Sequence, residues 1–160
     1  MPDIRVVAAT DADVPFILEM IRALADYEKL RHICVATEEQ LRRTLFAERP
    51  AAEVLIAYLD GAPVGFALFF QNYSTFLAQP GLYLEDLFVK PEARAKGAGL
   101  ALLVEMARIA VERGCGRVEW AVLDWNEPSI QFYKKLGAEP MSDWTIFRLT
   151  GEPLMKLAAR

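Results

Sequence analysis

The segment Arg94-Ala95-Lys96-Gly97-Ala98-Gly99 joins two cations to two glycines, and it directly follows the apolar run Leu84-Glu85-Asp86-Leu87-Phe88-Val89 and its stop, Lys90-Pro91. A helical pattern opens at these glycines. Unpaired N–H groups at a helix start, the helix dipole and a backbone free of side chains together suit an anion such as a pyrophosphate. Arg94 and Lys96 add formal positive charge. Glycines at a helix start also serve tight turns that hold no ligand, so the loop alone leaves both readings open. It is neither a dinucleotide fingerprint, which needs G-x-G-x-x-G, nor a triphosphate loop, which ends in Gly-Lys-Ser/Thr. Glu85 and Asp86 are the adjacent carboxylates. Regular strand geometry sends their side chains to opposite faces, which predicts that only one meets a substrate and excludes joint acid-base work by the pair. Glu85 could equally be a structural partner for a nearby cation, and Tyr133 a core aromatic with its hydroxyl at the rim.

The elements that must position these residues follow from periodicity and turn chemistry. Ile4 to Ala8 reads as a strand, and Thr10 with Asp13 as the cap of a helix carrying Phe16, Ile17, Met20, Ile21, Leu24 and Ala25 at helical spacing, ending near Tyr27-Glu28-Lys29. Thr37-Glu38-Glu39-Gln40 is a capping box for a helix running to about Phe46. Glu53 to Leu59 and Val64 to Phe70 are strands joined by Asp60-Gly61, a tight hairpin turn. Asn72 to Gly81 reads as a looser stretch, followed by a strand over Leu82 to Val89. The helix from Gly97 ends at Gly114, with Leu100, Leu103, Val104, Ala107, Ala110 and Val111 on one face. Arg117 to Leu123 is a further strand, Asn126 to Leu136 a short helix, and Trp144 to Leu149 is expected to close the sheet before a final helical turn. The pattern is a single mixed α/β layer in one domain spanning residues 1–160.

Composition narrows the class. A net charge of -4 weighs against nucleic acid as partner, because phosphate binding needs a basic face. Cys34 and Cys115 have neither zinc-site spacing nor the numbers for a disulfide framework, which fits a reducing, cytoplasmic setting and predicts no metal. No signal-peptide pattern or membrane span is expected, since no apolar run approaches the length that a span needs. His32, the sole histidine, falls in a loop and receives no role.

Arg94 to Gly99 resembles, at every defined position, the coenzyme A pyrophosphate motif Arg/Gln-x-x-Gly-x-Gly/Ala of the GNAT superfamily of N-acetyltransferases. Tyr27-Glu28-Lys29-Leu30, Tyr83-Leu84-Glu85-Asp86, Ala121-Val122-Leu123-Asp124-Trp125-Asn126, Phe132-Tyr133-Lys134 and the tail from Gly151 look like the diamine acetyltransferases, a family acetylating spermidine, spermine or thialysine. The resemblance covers nearly the whole chain. It implies a GNAT fold, with a mixed sheet splayed between two parallel strands and flanked by helices, and acetyl-coenzyme A in the opening. By the same resemblance Leu87, Phe88 and Val89 offer main-chain groups to the pantetheine arm, Ala95 to Leu100 (Ala95, Lys96, Gly97, Ala98, Gly99, Leu100) hold the pyrophosphate, and Asn126, Glu127, Pro128 and Ser129 touch the thiol end.

The resemblance also assigns roles to the reacting groups. Glu85 takes the proton from the amine, a needed step because an ammonium with a pKa of about 10 cannot attack. Tyr133 protonates the departing thiolate, while Tyr27, Glu28, Glu119, Trp120 and Ala121 line the substrate. The acceptor is then the primary amine of a small molecule, and the protein a homodimer. One departure bears on the acceptor: the polyamine branch has an acidic residue soon after a tyrosine in the loop before the Leu-Glu-Asp strand, where this chain has Tyr73-Ser74-Thr75. That favours a lysine-like amine over a polyamine. Acetylation of a protein or peptide, which requires an open groove beside Ser74 to Gly81, and a non-catalytic coenzyme A-binding module are the alternatives.

Overall fold

A computed structural model describes residues 1–160, which form two compact units, Met1–Ala121 and Val122–Arg160. The first unit holds a five-stranded sheet in the order β1-β2-β3-β4-β5: Ile4–Ala8, Glu53–Leu59, Ala62–Ser74, Gln79–Val89 and Val118–Trp120. All neighbours are antiparallel except β4 and β5, which run parallel. The β2–β3 hairpin turns on Asp60 and Gly61 with φ of 49° and 84°, the left-handed pair that a tight turn between right-twisted strands requires.

Strands β3 and β4 are longer than periodicity predicts. Ladder pairing continues through Asn72↔Gly81 and Tyr73↔Pro80 to Ser74↔Gln79, across the stretch expected to be loose. Asparagine, proline, glycine and glutamine are poor strand formers, and cross-strand pairing overrides that preference here. The Ser74 hydroxyl accepts the Leu77 N–H at 3.2 Å and closes the tip.

Helices α1 (Val14–Tyr27) and α2 (Glu38–Leu45) cover one face of the sheet. Thr10 and Asp13 form their reciprocal capping pair ahead of a short 3-10 turn that leads into α1, and Thr37 and Gln40 form the pair that starts α2. Val14, Ile17, Leu18 and Met20 of α1 pack with Ile56, Phe66 and Phe88 from the strands. Helix α3 (Ala98–Glu112) buries Leu102, Leu103 and Met106 and packs against β1 to β4. Burying an apolar side chain of this size contributes about 1.5–3 kcal/mol, so these faces hold α1 and α3 against the sheet.

The second unit contains α4 (Glu127–Lys135) and α5 (Gly151–Ala158) and no strand. Trp144–Leu149, expected to close the sheet, joins no ladder, and β5 pairs over only three residues, short of the predicted Arg117 to Leu123. Strand β5 therefore stands at the sheet's edge instead of inside it. Trp144, Ile146 and Phe147 are exposed, so the apolar, β-branched character that suggested a strand is real but has no partner strand within the chain. No helix is long and apolar enough to cross a membrane.

Candidate active site

The register between β3 and β4 shifts where chemistry was expected. Phe69 pairs with Leu84 and Leu68 with Asp86, so Glu85 is an extra residue opposite nothing, a β-bulge. The bulge breaks the regular alternation on which the expectation of opposite faces for Glu85 and Asp86 rested. Glu85 acts on Glu28, just past the end of α1, and Glu85 and Glu28 both act on Asp86. Burial foremost, then the negative charge of Glu85, raises the Glu28 pKa. Asp86 is pushed up to about 7, first by burial and then by Glu85 and Glu28. Tyr83 is raised by burial, then by Glu85 and Glu119.

None of the eight salt bridges in the chain involves Glu28, Glu85 or Asp86. Glu85 raises the pKa of both Glu28 and Asp86, and an acidic group with no salt-bridge partner favours a positive charge that enters. The tyrosine before Glu28 has its ring 6.4 Å from that of buried Phe88.

The anion loop lies one strand end away. The β4–β5 ladder stops at Leu84↔Trp120, so Glu85 to Val89, including Leu87 and Phe88, have no strand beside them on that edge. After a short turn over Pro91–Ala93 the chain passes Arg94, Ala95 and Lys96 to Gly97, which caps α3 with φ 96° and without a side-chain hydrogen bond. No backbone carbonyl accepts from the amides of Ala95 to Gly99. A β-carbon on Gly99 would meet only the Val89 Cγ2, at 3.7 Å. An uncapped start of a 15-residue helix with an open glycine surface fits a pyrophosphate. Leu100 and Lys96 are exposed beside it, and Ala98 is buried beneath it.

Other predicted residues stand differently. Arg94 donates its Nε to the Val89 carbonyl at 3.0 Å, and its guanidinium lies 5.0 Å from the Tyr27 ring and 5.2 Å from that of Phe88. Glu119 is engaged by Arg117 at 3.1 Å and by the Asn72 amide at 3.3 Å, which gives it a structural task within the sheet. Trp120 is half-buried and Ala121 exposed. In the second unit Asn126 is buried, donates its backbone N–H to Leu123 and accepts from Ile130, and so starts α4. Glu127 accepts from Gln131 at 2.6 Å, Pro128 occupies the first turn, and Ser129 follows. Tyr133 is half-buried with its ring 5.7 Å from that of Phe132. Sequence reasoning missed the membership of Asp86 and the aromatic seat of Arg94. No residue type announces a bulge at Glu85, and nothing in spacing brings Tyr27 to Arg94.

The sheet has one parallel pair, a bulged strand beside it and a glycine start to the long helix that follows, and residues 19–138 match the acetyltransferase (GNAT) family. The chain belongs to that family and is an acetyltransferase. It is 37% identical to the thialysine N-epsilon-acetyltransferase of Mus musculus over the whole of both chains. Identity to the L-ornithine N5-acetyltransferase of Arabidopsis thaliana is 36%, covering 96% of this chain and 87% of the relative. Among solved structures, an integron cassette protein from the mobile metagenome of V. cholerae superposes with a TM-score of 0.81 at 26% identity, over 98% of each chain.

Proposed function

We propose that the protein transfers the acetyl group of acetyl-coenzyme A to the side-chain amine of a lysine-like amino acid. The observation that carries this reading is the uncompensated carboxylate group of Glu28, Glu85 and Asp86 beside the open edge of β4. A primary ammonium is the partner that such a group lacks. Relatives that act on thialysine and ornithine support an amino-acid acceptor. Members of the family use acetyl-coenzyme A, which supplies an activated thioester.

In this mechanism Glu28 and Asp86 draw the ammonium in, and Glu85 takes its proton, directly or through water, so that the free amine can attack. Main-chain N–H groups of Leu87 to Val89 polarise the reacting carbonyl, a contribution that typically reaches several kcal/mol. The amides from Ala95 to Leu100 hold the pyrophosphate. Tyr133 retains the role that the family resemblance assigns to it, donating a proton to the departing thiolate, and Asn126 to Ser129 retain theirs at the thiol end. Two copies form the working protein, for which the exposed Trp144, Ile146 and Phe147 offer an apolar surface. The unpaired Cys34 and Cys115 suit a cytoplasmic setting.

Comparison of kcat/KM for lysine, thialysine, ornithine and spermidine tests the acceptor. The lysine-like amines are expected to lead by at least tenfold, or about 1.4 kcal/mol of transition-state binding. Spermidine ahead by that margin would overturn the assignment. Ser74 is buried and holds the hairpin tip, so a carboxylate that tests the polyamine reading belongs at exposed Thr75: Thr75→Asp should shift preference toward spermidine.

A further inference from the structure

We propose that Arg94 is a positioning residue, a clamp that fixes the phosphate-facing loop to the end of α1 and thereby sets the cofactor side and the amine side of the site together. The proposal rests on the reading above for what the loop binds. A motif arginine at this place suggests a point charge for phosphate, yet the side chain is turned back on the protein. Its Nε donates to the carbonyl of Val89, the last residue of β4, at 3.0 Å. The guanidinium carbon is within 5.0 Å of the Tyr27 ring centroid and 5.2 Å of that of Phe88. The two ring centroids are 6.4 Å apart, so one cation is within cation–π distance of both.

This anchor has a task. Ala95 and Gly97 take φ of 62° and 96°, left-handed values within three residues of each other, and no backbone carbonyl accepts from the loop's amides. Such a shape is held from outside or not at all. Arg94 stands immediately before it and ties it to Tyr27, and the next residue, Glu28, faces Glu85 and Asp86. A shift of Tyr27 therefore moves the amine-facing carboxylate and the loop at once. Lysine keeps the charge of arginine but loses the planar stack and the Nε bond, so the two accounts of Arg94 separate experimentally.

Coenzyme A affinity by calorimetry and amide hydrogen exchange of residues 95–99 in the unliganded protein are measured for wild type, Arg94→Lys, Tyr27→Leu, Tyr27→Phe and the double variant Arg94→Lys/Tyr27→Leu. Each disrupting single variant is expected to weaken coenzyme A by at least about threefold and to speed exchange of the loop, the size an exposed cation–aromatic contact provides. Tyr27→Phe, which keeps the ring, should bind coenzyme A at least about twofold more tightly than Tyr27→Leu, and the double variant should be no weaker than its weaker parent. Arg94→Lys should also raise the KM of the amine. Full coenzyme A affinity in Arg94→Lys, additive losses, or unchanged loop exchange in Tyr27→Leu would overturn the clamp. Wild type that fails to bind coenzyme A, with loop exchange still accelerated by Tyr27→Leu, sinks the proposed function and leaves the clamp standing.

Discussion

Asp86 is a carboxylate held near half-protonation at neutral pH by burial and two like charges. Its folded pKa of about 7 lies above the ordinary 3.8, so the neutral acid is the form that the fold favours. The sign follows: this contribution to stability is full below about pH 4 and is lost as pH rises through 7. Asp86→Asn, which cannot charge, should melt at the parent's temperature at pH 4. At pH 8 it should melt about 2–4 °C higher, the shift that roughly 1 kcal/mol makes in a chain of this size. Equal melting at both pH values would mean that Asp86 is ordinarily solvated. The proton steps proposed for Glu85 and Tyr133 each have an isosteric test. Glu85→Gln is expected to reduce kcat by about 10²-fold or more while coenzyme A affinity stays near normal; matched losses would mark a structural carboxylate. Tyr133→Phe should do the same to kcat without lowering thermal stability, and a variant keeping over about a third of the parent rate would return Tyr133 to a packing role. Glu85, Gly97 and Tyr133 were legible as types in a family pattern. Asp86 was not, because its place depends on one extra residue in a ladder.

At the scale of elements, the turns and caps were the most readable part. Asp60-Gly61, the Thr37–Gln40 box and the glycine start of α3 each impose local geometry that needs no tertiary help. The extent of β3 and β4 was hidden, since residues 72–81 pair through their neighbours against their own preferences. Trp144–Leu149 has strand chemistry and no ladder, which no property of that segment reveals. The glycine start makes an element-scale prediction. Gly97 lies at φ 96°, and a β-carbon there would stand 3.2 Å from the Ile4 Cδ1. A β-branched residue at left-handed φ costs roughly 1–3 kcal/mol, so Gly97→Val must distort the loop or the turn before α3. Coenzyme A affinity should fall at least tenfold while the far-ultraviolet dichroism of the helices persists. A folded variant with undiminished affinity would remove the loop from the cofactor site.

For the whole molecule, a net charge of -4 sets only a background field, and the acidic group at β4 is local. Family membership fixes acetyl transfer, and the site's own charges argue for a small cationic acceptor. The decisive measurement is mass spectrometry of a reaction holding purified protein, acetyl-coenzyme A and lysine or thialysine. One acetyl group on the side-chain amine, formed in step with free coenzyme A and slowed by about 10²-fold or more in Glu85→Gln, is the predicted result. Protein that binds both compounds yet forms no acetylated amine, or releases coenzyme A only by hydrolysis, would contradict the account.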